Sequence, residues 1–383
     1  MPARRTTGDA PTKATYDKLP TLVLQGGGAL GCYQAGVYQA LAEADYLPDW
    51  VAGTSIGAIN AALIAGNEPG HRLARLTEFW ESITRPSSHW PDWPGPLSGE
   101  LHRHAGALSA LLFGQPGFFE HWGPASWYVS GCAPSWYDTA PLRPTLKRLV
   151  DFDRINTGKT RLAVGAVNVR TGDMVYFDSR ETRIRPEHIM ASSALPPGFP
   201  AVEIDGEFYW DGGLFSNTPL EHVLSYYPRR SRLIFQVDLF PARGGLPRTM
   251  DEVVERTKDI RYSSRTRVVT DELHTLHDIR HNLNLLLESL PEALKDQPAA
   301  RALGEIACVT TMDIAQLIYR PDEPQGASKD FAFARRTMRR RWEQGLADAR
   351  LTLAAAPWLA PSRPEIGVRV FDVAGGARAC AHR

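Results

Sequence analysis

The first sixty-five residues alternate short apolar runs, glycine turns and helical patterns. Residues 21–25 read as a short buried strand, three glycines follow, and a helical pattern runs from 31 to 43. Residues 50–52 read as a second strand, entering Gly53-Thr54-Ser55-Ile56-Gly57 and then a small-residue apolar helix over 58–65. Strand, glycine turn and helix, repeated, predict a parallel sheet with helices packed on it. Further on, 161–169 and 173–177 are strand-like, and 202–209 reads as a hairpin around Asp205-Gly206. Residues 232–240 form a strongly apolar, central strand, and 308–319 one more.

Two stretches break this rhythm. Residues 85–141 hold Trp90, Trp93, Trp122, Trp127 and Trp136 with Phe113, Phe118 and Phe119 among many Pro and Gly. They read as an insertion covering the site as a mobile lid. After 241 the pattern turns helical. Val269, Leu273, Leu276, Leu283, Leu287 and Leu290 recur at helical spacing in 250–290, and Phe331, Ala334, Met338, Trp342 and Ala349 do so in 331–349. The expected organisation is a flexible tail (1–19), an α/β domain (20–240) carrying the insertion, and a helical C-terminal region (241–383).

Composition narrows the function classes. The chain has 383 residues with 43 basic and 43 acidic side chains, so no global charge favours nucleic acid. No apolar run approaches the ~20 residues of a spanning helix, and residues 1–20 lack the apolar stretch of a secretory signal. Cys32, Cys132, Cys308 and Cys380 form no metal-binding spacing. Free thiols in a reducing cytoplasm are the expectation.

Gly53-Thr54-Ser55-Ile56-Gly57 is a GxSxG pattern. A serine on a sharp strand-to-helix turn needs small neighbours, and the following helix brings its N-terminal amides toward the hydroxyl. Gly26, Gly27 and Gly28 follow the first strand, so their amides, with that of Ile56, are candidates for an oxyanion hole. Gly26, Gly28 and Gly31 also spell GxGxxG, a dinucleotide fingerprint with Asp45 or Asp49 as the acidic residue. Asp211, followed by Gly212 and Gly213, presents a carboxylate with little steric cover.

These motifs, in this order and with Ala191-Ser192-Ser193-Ala194-Leu195-Pro196-Pro197 between them, resemble the patatin-like phospholipase family over residues 20–240. The resemblance implies a three-layer α/β/α sheet, here with a helical C-terminal extension like that of a bacterial subgroup. It implies Ser55 as nucleophile, Asp211 as its only side-chain partner, and the glycine loop as oxyanion hole. The implied reaction is hydrolysis of a lipid carboxylic ester, with no cofactor and no metal. Leu30 stands where many members carry Arg or Lys, which removes a cation that would favour anionic head groups.

Alternatives remain at this stage. A Ser-Asp-His esterase acting on non-lipid esters or polyesters would draw on a histidine after Asp211, such as His222 or His274. His274, His277 and His281 share one helical face, which reads as solvated rather than metal-binding. Arg335, Arg336, Arg339, Arg340 and Arg341 form a basic face, open to solvent or to transient contact with a membrane surface. The expected location is cytoplasmic, peripheral to the membrane where that contact forms.

Overall fold

The structure is a computed structural model that describes residues 16, 18–84, 114–122, 135–322, 324–363 and 365–381. Its strands are β1 (Leu19–Leu24), β2 (Trp50–Thr54), β3 (Glu120–His121), β4 (Tyr137–Asp138), β5 (Arg161–Asn168), β6 (Met174–Asp178), β7 (Val202–Ile204), β8 (Glu207–Asp211), β9 (Arg232–Asp238), β10 (Met312–Ile318) and β11 (Val368–Phe371). Its helices are α1 (Cys32–Glu43), α2 (Ile56–Ala65), α3 (Pro69–Ile83), α4 (Leu142–Leu149), α5 (Phe152–Asn156), α6 (Pro186–Ser192), α7 (Leu220–Ser225), α8 (Met250–Ser289), α9 (Glu292–Lys295), α10 (Pro298–Ile306), α11 (Arg335–Ala355) and α12 (Val373–Ala381).

One mixed sheet runs in the order β11-β10-β9-β1-β2-β5-β8-β7, with β6 also on β5. The strands from β11 to β5 pair in parallel, whereas β6 and β8 run antiparallel to β5. Successive side chains point to opposite faces, so each buried strand feeds two cores. Leu22, Leu24, Val51, Phe235 and Val237 join α1 and α2 on one face. Val23, Trp50, Ala52, Ile234 and Ile314 join α7 on the other, with Leu273 of α8 packed against them. The result is a three-layer α/β/α arrangement. The β7–β8 hairpin turns at Asp205 and Gly206, both at positive φ (53° and 86°), a requirement that Asn/Asp-Gly turns meet at low cost.

The structure departs from the sequence reading in several places. Residues 241–383 are helical over much of their length and supply the expected strand in 308–319 as β10, but also an unexpected one, β11, so that both extend the sheet from β9. Tyr16 and Lys18, expected in the tail, both bond Asp313 Oδ2 at 2.6 and 2.7 Å, so the chain is anchored before β1 begins. The helix expected from 331 begins at Arg335, and Phe331 lies in the preceding turn. Arg341 is buried, because its guanidinium points inward while Arg336, Arg339 and Arg340 stay exposed. The histidine face is a docking face: His274 Nε2 meets Val368 O (3.1 Å) and His277 Nε2 meets Thr310 O (2.8 Å). No helix among the described residues is long and apolar enough to cross a membrane.

Helix α11 lies so close on α1 that glycine is required on both. A Cβ on Gly36 would overlap the Trp342 carbonyl oxygen, and one on Gly345 the Tyr33 carbonyl oxygen. Gly36→Ala or Gly345→Ala is therefore expected to destabilise the fold by about 1–3 kcal/mol, the usual cost of overpacking. Urea unfolding of the full chain checks this; a midpoint equal to the parent's would show that the helices part freely.

Candidate active site

Strand register brings the candidate nucleophile and the candidate base together. Thr54, the last residue of β2, pairs with Gly165 of β5, and the next β5 residue, Ala166, pairs with Asp211 at the end of β8. Ser55 follows Thr54, so one strand separates the serine from the carboxylate. After Asp211 the chain crosses closely over β5: a Cβ on Gly212 would press on the Gly165 carbonyl (2.6 Å) and the Thr54 side chain (3.0 Å). Gly53 and Gly57 serve the same end, since a Cβ on either would overlap backbone of the turn or of β1.

Ser55 has φ 58° and ψ −127°, a sparsely populated conformation for a residue with a side chain. Such a conformation costs about 1–3 kcal/mol and persists only when the surroundings impose it. Here the 191–197 segment imposes it. The Ser55 N–H donates to Ser192 O (3.0 Å) and Ser192 Oγ (3.1 Å), and Ser193 Oγ donates to Ser55 O (3.1 Å). Ser192 Oγ is itself tied to Gly165 O at 2.6 Å.

Asp211 is buried, 1% exposed, and its Oδ1 accepts the Gly213 N–H at 2.7 Å. Burial raises its pKa to about 7, against the opposing pull of hydrogen bonds from the Ser55 hydroxyl and the Gly213 amide. The pair shares a cavity with Gly26, Gly27, Gly28 and Ile56. Among the described residues, the N–H groups of Gly27, Gly28 and Ile56 have no protein acceptor. Gly26 does not offer a free donor: its N–H goes to Asn217 O (3.0 Å), and Asn217 Nδ2 returns a bond to Gly26 O (3.0 Å). Gly26 therefore fixes the loop. A Cβ there would overlap Asn217 Oδ1 and approach Ser55 Cβ at 2.9 Å. Gly31 lies beyond the cavity, where its missing side chain makes room for Ile56.

The apolar lining is mostly aromatic, Phe118, Phe119, Phe199, Phe240, Phe331 and Phe333, with Tyr262 and Leu195, while Ser193, Asn217 and Asp330 add polar groups. Phe118 and Phe119 come from the insertion, are buried and line the same cavity as Ser55; the residues 85–113 and 123–134 of that insertion lie outside the described residues. No histidine among the described residues lines the cavity. His222 bonds Asp178 Oδ2 (2.9 Å) and stacks on Tyr176, and His274 sits against β11. Asp49, a candidate acid for a dinucleotide ribose, pairs with Arg232 at 2.7 Å. Asn217 escaped the sequence reading, although it stands six residues after Asp211 in the same loop. Tyr262, Phe331 and Phe333 escaped it because nothing local ties residues so far along the chain to this site.

Comparison with known proteins fits this geometry. A family profile described as "Patatin-like phospholipase" matches residues 22–224, and one described as "Patatin phospholipase" matches residues 260–365. The chain is similar to rat patatin-like phospholipase domain-containing protein 7, 57% identical over 59 residues, 15% of this chain and 4% of that protein. It is also similar to an uncharacterized NTE family protein of Mycobacterium bovis, 48% identical over 59 residues, 15% of this chain and 10% of that protein. The chain thus spans only a small part of the curated relatives it matches. Among solved structures, human GIVD cytosolic phospholipase A2 aligns with 89% of this chain and 59% of its own at 11% identity and a TM-score of 0.43. VipD from Legionella pneumophila aligns with 97% and 77% at 13% identity and a TM-score of 0.35.

The raised pKa of Asp211 has a stability consequence. An acid whose folded pKa lies above its unfolded value, here 3.8 against about 7, stabilises the fold most below pH 4, and that contribution is lost as pH rises through 7. Asp211→Asn removes the buried charge. It is expected to be more stable than the parent at pH 8, by at most roughly 4 kcal/mol, with the gain shrinking toward pH 4. Urea midpoints of both proteins at pH 4, 6 and 8 test this; a constant difference would show that Asp211 titrates normally.

Proposed function

The chain belongs to the patatin-like phospholipase family, and we propose that it is a serine hydrolase of lipid carboxylic esters working through a Ser55–Asp211 dyad. The observation that carries this reading is the pairing of a strained, clamped Ser55 with a buried carboxylate whose pKa is raised to about 7. An ordinary carboxylate, near pKa 4, is a weak base for a serine hydroxyl; one held near 7 is matched to proton transfer at neutral pH. Asp211 takes the Ser55 proton as Oγ attacks the ester carbonyl. The N–H groups of Gly27, Gly28 and Ile56 receive the developing oxyanion, with the N-terminal end of α2 adding its dipole. The proton passes to the departing alcohol, leaving an acyl-enzyme. Water, deprotonated by Asp211, then attacks the acyl carbonyl, and the proton returns to Ser55 Oγ as the acid leaves.

The aromatic lining supports an apolar acyl group rather than a polar ester, and the exposed Arg336, Arg339 and Arg340 support transient contact with an anionic membrane surface. The absence of a histidine from the described lining favours a dyad over a triad.

Ser55→Ala and Asp211→Asn are each expected to abolish hydrolysis of short p-nitrophenyl esters, while His222→Ala and His274→Ala retain it. The parent's kcat/KM should climb with pH through about 7, as the Asp211 carboxylate forms. Steady-state assays decide: a histidine variant as inactive as Ser55→Ala would replace the dyad by a triad. Phe118→Ala and Phe119→Ala should change the ratio of long-chain to short-chain kcat/KM, since both rings line the cavity that holds Ser55. Lower stability with an unaltered ratio would make the insertion purely structural.

A further inference from the structure

We propose that the segment 325–334 and Arg341, both in the C-terminal region, are positioning elements of the active site that hold the turn at residues 27–30 in place. The proposal rests on the reading of Gly27 and Gly28 as oxyanion donors. It assigns a catalytic purpose to a region that the dyad itself does not use.

The segment is pinned on one side to the inner face of α8. Gly326 and Ala327 donate their N–H groups to Glu255 Oε2 (2.8 Å) and Asp251 Oδ1 (3.0 Å). Lys329, 1% exposed, places its ammonium between Glu255 Oε1 (3.2 Å) and Asp259 Oδ1 (2.5 Å). Lys258 reaches Asp330 Oδ1 and Ala327 O, each at 2.7 Å. Asp251, Glu255 and Asp259 recur every four residues, so one helical stripe grips the first half of the segment, residues 325–329.

On its other side the segment meets the glycine turn. Gly28 has φ 54°, and a Cβ there would overlap the Asp330 carbonyl oxygen. Arg341, 2% exposed, spans the junction: Nη1 donates to Ala29 O (3.1 Å) and Nη2 to Lys329 O (2.9 Å). A planar guanidinium can hold two carbonyls at a fixed separation, which an ammonium cannot. A buried cation spent on carbonyls that belong to the turn and the segment fixes their relative position. Phe331 and Phe333 then complete the aromatic lining, and Phe333 touches Phe118 of the insertion, ring centroids 6.2 Å apart.

Displacing oxyanion donors lowers kcat and leaves KM largely alone, because the lost interaction exists only in the transition state. The test compares Arg341→Lys, Asp259→Asn and Lys258→Met in the full chain, by thermal midpoint, kcat and KM on a short p-nitrophenyl ester. Folded Arg341→Lys is expected to lose about 10- to 100-fold in kcat, the scale of a misplacement near 1 Å, with KM within about twofold. Asp259→Asn and Lys258→Met, which loosen the grip, should lose kcat in the same sense. Folded variants with the parental kcat overturn the proposal. Should Arg341→Lys not fold, parental kcat in the other two overturns it equally. Ser55→Ala is the control: turnover that survives it defeats the serine reading itself, and the positioning role with it.

Discussion

Everything at this site depends on the backbone of Ser55 being kept where it would not rest alone. A serine at φ 58° and ψ −127° relaxes unless both its N–H and its carbonyl are held. Ser192 and Ser193 supply those holds, and Ser192 is anchored in turn on β5 through Gly165 O. The same strand separates β2 from β8, so the strain, the clamp and the position of Asp211 all refer to β5. This explains the density of glycine around it. Residues 53, 57 and 212 lie where backbone approaches backbone, and a methyl at any of them would overlap a main-chain atom, whereas one at 165 would meet the Met174 and Tyr176 side chains.

Much of this was legible in the sequence, for physical reasons. Strand–glycine–helix transitions leave strong local marks, because a buried parallel strand must be apolar and its turn must be small. The β1, β2, β5 and β9 strands and the Ser55 turn are of this kind, and the Asp205-Gly206 hairpin was marked instead by its turn residues. Ser55 and Asp211 stood out because each sits beside glycines that serve no other evident end.

What was not legible depends on tertiary contact. Periodicity places Arg341 among other arginines on a helix face, but its burial depends on carbonyls from residues 29 and 329. The Gly26 amide looked as free as its neighbours until Asn217 folded back onto it. The histidines on α8 spell a polar stripe, yet carbonyls at the rim of β10 and β11 accept them. Polar residues are the ones that mislead here. An apolar side chain has one favourable destination, the core, whereas a polar one goes wherever a partner happens to be.

The placement of β9 carries a consequence for biosynthesis. It lies between β1 and β10, all seven of its residues are buried, and its outer edge is covered only by a strand that begins 74 positions later. At ribosomal speeds that interval lasts on the order of ten seconds. During it the nascent chain presents an apolar, unpaired edge, the feature from which aggregation starts. A shortened protein ending near residue 245 would keep that edge permanently. Residues 20–240 therefore reach a closed sheet only together with the C-terminal region, whose β10 covers that edge.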